Sequence, residues 1–116
     1  MSKRILLVED DQIIREFLED CLVEEGHSVL AVSDGASATD SAAQLEEVDV
    51  LITDFNLGHG PDGFDVVKRF HELHPQSRVL VISGRPDLAK AKLGEFTFAG
   101  ILPKPFMVAE VLKAIA

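Results

Sequence analysis

The stretch "VDVLITDFNLGHGPDG" runs from Val48 to Gly63. Its first part, Val48–Thr53, is dominated by Val, Leu, Ile and Thr over a length typical of a strand, so it reads as a buried β-strand. At Asp54 the composition changes. Asp54–Gly63 carries three glycines and one proline, which predicts a loop. A carboxylate therefore stands where an apolar strand gives way to a loop. Whether that is an isolated turn or one unit of a repeating design depends on what flanks it.

The same design recurs on both sides. "RILLV" (Arg4–Val8) is short, apolar and followed by three acids, so it reads as a first strand. Gln12 to Glu25 then puts Ile13, Ile14, Phe17, Leu18, Cys21 and Leu22 on one helical face, and Gly26 is placed to stop that helix. "SVLAV" (Ser28–Val32) reads as the second strand, and the alanine-rich Gly35–Leu45 as the second helix. After the loop, Phe64–Leu73 has helical spacing with Val66, Val67, Phe70 and Leu73 inward, and Pro75 ends it. "RVLVIS" (Arg78–Ser83) is the fourth strand. A short helix follows Pro86, a fifth strand covers about Ala99 to Leu102, and a last helix covers Met107 to Ala116 with Val108, Val111, Leu112 and Ile115 inward. Five β/α units in alternation predict a parallel sheet with helices on both faces. Right-handed crossovers leave few topologies.

The chain has 116 residues, the size of one domain, with no linker, repeat or low-complexity tract. A net charge of −9 disfavours direct binding to nucleic acid or to an anionic membrane and points to cationic partners or a bound metal ion. One cysteine, Cys21, excludes an internal disulfide and fits a reducing compartment. The apolar run near the N-terminus, Ile5–Val8, is too short for a signal peptide, and no stretch spans a bilayer. A soluble cytoplasmic protein is the expectation.

In open α/β sheets, ligands bind beyond the carboxyl ends of the strands. Glu9, Asp10 and Asp11 follow the first strand, Asp54 the third, Ser83 ends the fourth, and Lys104 follows the fifth. Each has an ordinary reading alone: a helix cap for Asp10 or Asp11, a turn residue for Asp54, a cap or turn for Ser83, a surface lysine for Lys104. Asp11 reads mainly as a cap. Together, five groups at strand ends in one order make a site. Clustered carboxylates raise one another's pKa unless a cation is present, and one lysine is insufficient against three acids. The donors are all oxygen, which favours Mg²⁺. A carboxylate can also act as a nucleophile towards phosphorus, with cations on the equatorial oxygens. In "ILPKPF" (Ile101–Phe106), two prolines limit the backbone around Lys104 and so aim it. His27, His59, His71 and His74 lack metal-ligand spacing and read as surface histidines. "GHGPDG" lacks the ending of a P-loop.

With these motifs, "ILLVEDD", "LITDFNL", "VLVISG" and "LPKPF", the chain resembles the receiver domain of bacterial two-component response regulators over essentially its whole length. The resemblance implies a flavodoxin-like sheet in order 2-1-3-4-5 and one receiver domain over residues 1–116 without an output domain. It implies an acidic pair, Glu9 and Asp10, for Mg²⁺, with Asp54 as phosphoacceptor and the backbone carbonyl of Asn56 as a further ligand. Ser83 matches the switch hydroxyl and Lys104 the phosphate-facing lysine, with a cis Lys104–Pro105 bond. The implied partners are a histidine kinase or histidine phosphotransfer protein, and a downstream protein meeting the face made by the fourth helix, fifth strand and fifth helix. Such a domain catalyses only its own phosphorylation and dephosphorylation. Two rivals are a pseudo-receiver that binds without phosphorylation and a small Mg²⁺-dependent phosphohydrolase. Departures from the family pattern are Ile101 at the usual aromatic switch position and a loop after Asp54 about one residue longer. Leu93, Phe96 and Phe98 read as exposed, either a partner patch or a cover for the sheet edge.

Overall fold

Among the described residues, five apolar strands and five helices alternate strictly. They are β1 (Arg4–Val8), α1 (Gln12–Glu24), β2 (Ser28–Val32), α2 (Gly35–Gln44), β3 (Val50–Asp54), α3 (Gly63–Leu73), β4 (Arg78–Ser83), α4 (Pro86–Leu93), β5 (Ala99–Pro103) and α5 (Val108–Ile115). This is a computed structural model, and it describes residues 2–58, 60–94 and 99–116. His59, Phe96 and Phe98 lie outside the described residues. All strand pairs are parallel, in order β2-β1-β3-β4-β5. That is the flavodoxin-like order that the family resemblance implies.

Period-2 alternation divides the core into two layers. Leu6, Val8, Leu51, Val79 and Val81 face α2, α3 and α4, where Ala38, Ala42, Val66, Val67 and Phe70 close the layer. Ile5, Leu7, Val50, Ile52, Leu80 and Ile82 face α1 and α5, meeting Leu18, Leu22, Val111 and Ile115. The central strands are thus buried on both sides, which is why they read as continuous apolar runs.

Several boundaries move for local reasons. β3 starts two residues later than expected and includes Asp54, because the Phe55 N–H still bonds to the Ile82 carbonyl across the ladder. α3 starts at Gly63, where Asp62 and Asp65 form a reciprocal capping box. α1 ends at Glu24, followed by Gly26 at φ +92°, the left-handed conformation glycine tolerates.

Three expectations on burial are corrected. Ile13 and Phe17 point to solvent, 80% and 56% exposed, while Leu18 and Leu22 are fully buried. At about 100° per residue the six apolar residues of α1 cover half the helix, and the sheet takes only the part holding Ile14, Leu18 and Leu22. Leu93 is buried in the α2–α3–α4 layer rather than exposed. His27 and His74 are half-buried and bonded rather than solvated: His27 Nδ1 accepts the Lys3 N–H at 3.0 Å, and His74 Nε2 lies 2.8 Å from the Ala42 carbonyl. His71 is half-buried as well.

Candidate active site

Parallel strands of one register deliver their terminal residues to the same edge. Val8 pairs with Thr53, and Asp54 with Ile82, so the residues after β1, at the end of β3 and at the end of β4 are neighbours. Carboxylate oxygens of Glu9, Asp10 and Asp54 all lie within 4.8 Å of one another. Glu9 and Asp54 are buried, and Asp10 is exposed.

The two buried acids are held by backbone N–H groups. Glu9 Oε1 accepts the Asp11 N–H at 3.1 Å, and the Glu9 carbonyl accepts from Arg15 at 2.8 Å. Asp54 Oδ1 accepts the Asn56 N–H at 3.3 Å. Asp11 turns away from the cluster and caps α1, its Oδ1 accepting the Ile14 N–H.

Lys104 Nζ donates to Asp54 Oδ2 at 2.7 Å across fifty residues of sequence. Its own N–H bonds to the Ser83 carbonyl at 2.9 Å, so the end of β4 fixes where the lysine starts. The Lys104–Pro105 bond is cis. Ser83 is buried, and its Oγ accepts the Arg85 N–H at 3.0 Å, which leaves the hydroxyl hydrogen free to donate.

The electrostatics follow from this crowding. Burial, then the Asp54 charge and the Asp10 side chain, push Glu9 from 4.5 up to about 7, against the Asp11 N–H and Lys104. Burial also works against the Lys104 ammonium. The hydrogen bond and charge of Asp54, with Glu9 and Asp10, outweigh that and hold its pKa above the usual lysine value. One ammonium against three carboxylates leaves the site short of positive charge. An all-oxygen cluster of this spacing fits a hard divalent cation.

Two contributors have no part in the sequence reading. Thr53 is fully buried and donates from Oγ1 to the Asp54 carbonyl at 2.9 Å. Arg15 clamps the Glu9 carbonyl from α1. A polar residue directly before the strand-ending acid was a signal for the first. Nothing in the pattern of α1 marked the second.

Comparison with known proteins decides the lineage. The model of the response regulator receiver domain matches residues 5–116. The chain belongs to that family. Membership makes it a signalling domain rather than a conventional enzyme. Among curated relatives, this receiver is 34% identical to response regulator MprA of Mycobacterium bovis over 97% of its own length and 48% of that protein. It is 32% identical to the response regulator receiver protein CpdR of Brucella abortus, covering 97% of this chain and 93% of that one. It thus spans about half of the first relative and nearly all of the second. Among solved structures, a response regulator receiver protein from Sinorhizobium medicae superposes with a TM-score of 0.90 at 32% identity, over 98% of this receiver and 91% of that chain.

Proposed function

We propose that this receiver accepts a phosphoryl group on Asp54 from a histidine kinase or histidine phosphotransfer protein, in a reaction assisted by Mg²⁺. The observation that carries the reading is the buried Asp54 carboxylate, 2.7 Å from Lys104 Nζ and clustered with Glu9 and Asp10. Glu9, Asp10, Asp54 and the backbone carbonyl of Asn56 would hold the cation. When bound, the cation neutralises the acids and draws charge from the phosphoryl oxygens.

The remaining chemistry belongs to the chain. An Asp54 oxygen attacks phosphorus, and the new O–P bond forms as the donor's N–P bond breaks. Lys104 transfers its hydrogen bond from the carboxylate to a phosphoryl oxygen, and the Ser83 hydroxyl donates to another. Both groups sit at the ends of β4 and β5, so this change in bonding is passed to the face made by α4, β5 and α5, where a downstream protein reads it. Ile101 replaces the usual aromatic ring and is half-buried against the α2–α3–α4 layer, so the switch acts through Ser83 and Lys104 without a turning ring. Among the described residues, no helix is long and apolar enough to cross a membrane.

Intact mass after incubation with Mg²⁺ and acetyl phosphate tests the reading. One phosphoryl adduct is expected on the wild type and none on Asp54→Asn. An adduct retained by the variant would place the acceptor elsewhere.

A further inference from the structure

The loop between β3 and α3 is pinned at two places where a side chain is missing. At its base, the Gly63 N–H donates to the Phe55 carbonyl at 2.9 Å. A Cβ on Gly63 would come within 2.7 Å of the Asp54 and Phe55 carbonyl oxygens. At its outer side, Pro61 lies directly on Gly35, the first residue of α2. A Cβ on Gly35 would overlap the Pro61 carbonyl oxygen and sit 2.9 Å from both Pro61 C and Cβ. Real Cβ atoms do not approach backbone this closely, so the loop would have to move.

What the loop carries makes its position matter. Asn56 donates its N–H to Asp54 Oδ1. Leu57 is buried in the core layer with Ala38 and Ala42 of α2. Gly58 passes beside Asp10, with Oδ2 3.9 Å from where its Cβ would stand. One short segment therefore touches two acids of the cluster and the N-terminus of α2.

We infer that Gly35 is a positioning residue for the acidic site: the bare start of α2 sets how deeply the β3–α3 loop seats against Asp54 and Asp10. The inference rests on the proposed cation-assisted reading of that site. It adds a helix that contributes none of the proposed ligands or reacting groups. Gly35 does not sit at positive φ, so its backbone accommodates alanine, which has the higher helix propensity. Any harm from Gly35→Ala must come through Pro61 and the loop rather than through α2 itself.

The test compares Mg²⁺ titrations followed by melting temperature, on the intact chain, for wild type, Gly35→Ala and Ala43→Gly. Ala43 is exposed on the same helix, and glycine there destabilises α2 through its poor helix propensity without touching the loop. Gly35→Ala should raise the half-saturating Mg²⁺ concentration roughly ten-fold or more, the usual effect of disturbing groups that orient metal ligands. Ala43→Gly should lower the melting temperature in chelator with the half-saturating concentration unchanged. Equal shifts in Mg²⁺ affinity for both variants, or none for Gly35→Ala, would overturn the inference while leaving the cation site intact. A wild type indifferent to Mg²⁺ would overturn both it and the reading beneath it. Should Gly35→Ala fail to fold, Pro61→Gly, which keeps the carbonyl against Gly35 but frees the loop backbone to shift, carries the same expectation.

Discussion

Glu9 is the residue whose environment is most out of step with its chemistry. Its pKa is raised from 4.5 to about 7, so the folded chain binds a proton more tightly than the unfolded one. Stability therefore falls as pH rises through that window. The drop is up to about 3 kcal/mol for a shift of this size. Urea melts in chelator between pH 4.5 and 7.5 should show it, and Glu9→Gln should flatten the profile. A bound cation competes with the same proton, so Mg²⁺ affinity should rise with pH over the upper part of the range. Lys104 separates charge from metal binding. Lys104→Ala should leave Mg²⁺ binding in place and slow phosphorylation by acetyl phosphate by about ten-fold or more, as loss of a charge-stabilising donor does. Weakened Mg²⁺ binding instead would make the lysine an organiser of the acids. That Glu9, Asp10, Asp54, Ser83 and Lys104 meet at one edge of the sheet was legible because each stands at the end of an apolar run. Their bonding was not, because the backbone donors at Asp11 and Asn56 leave no trace in residue type.

Elements were legible to the extent that their periodicity matched their burial. All ten were located, α2 from its alanine content, α4 from its place after Pro86 and the others from apolar runs or spacing, and α1 went wrong because it has more apolar residues than its sheet can cover. Phe17 and Leu18 are adjacent and both apolar, yet Phe17 is exposed and Leu18 buried. Leu18→Ala should cost about 2–5 kcal/mol by emptying a core site. Phe17→Ser should change stability by no more than about 0.5 kcal/mol, as exposed substitutions do. Parallel chemical denaturation of the two variants checks this, and comparable losses would mean that Phe17 packs. Leu93 shows the reverse error. It looked exposed because α4 is short and weakly amphipathic, whereas packing of α4 against β4 and β5 buries it.

For the whole molecule, the net charge of −9 and the acidic cluster act in the same direction. Folding brings Asp54 against Glu9 and Asp10, from which the unfolded chain keeps it apart. A cation that binds only the folded site raises stability by mass action. A hundred-fold excess over Kd is worth about 2.7 kcal/mol, on the order of 10 °C in melting temperature for a domain of this size. Mg²⁺ should therefore raise the melting temperature well beyond NaCl at matched ionic strength, and Asp54→Asn should remove much of the difference. The alternation alone narrowed the sheet to a few right-handed arrangements, and the strand order was legible only through the family resemblance. The two-sided pinning of the β3–α3 loop was not, since it depends on what glycines leave out.

Lys104 follows β5, the last strand of the sheet, while the acids it faces come from the first and third. A ribosome therefore delivers every carboxylate of the cluster well before the one ammonium that answers them. A chain stalled before β5 carries the acids without their counterion, and a nascent sheet must tolerate that repulsion until the final strand docks. Pairing of Asp54 with Lys104 thus records that translation has run through the fifth strand.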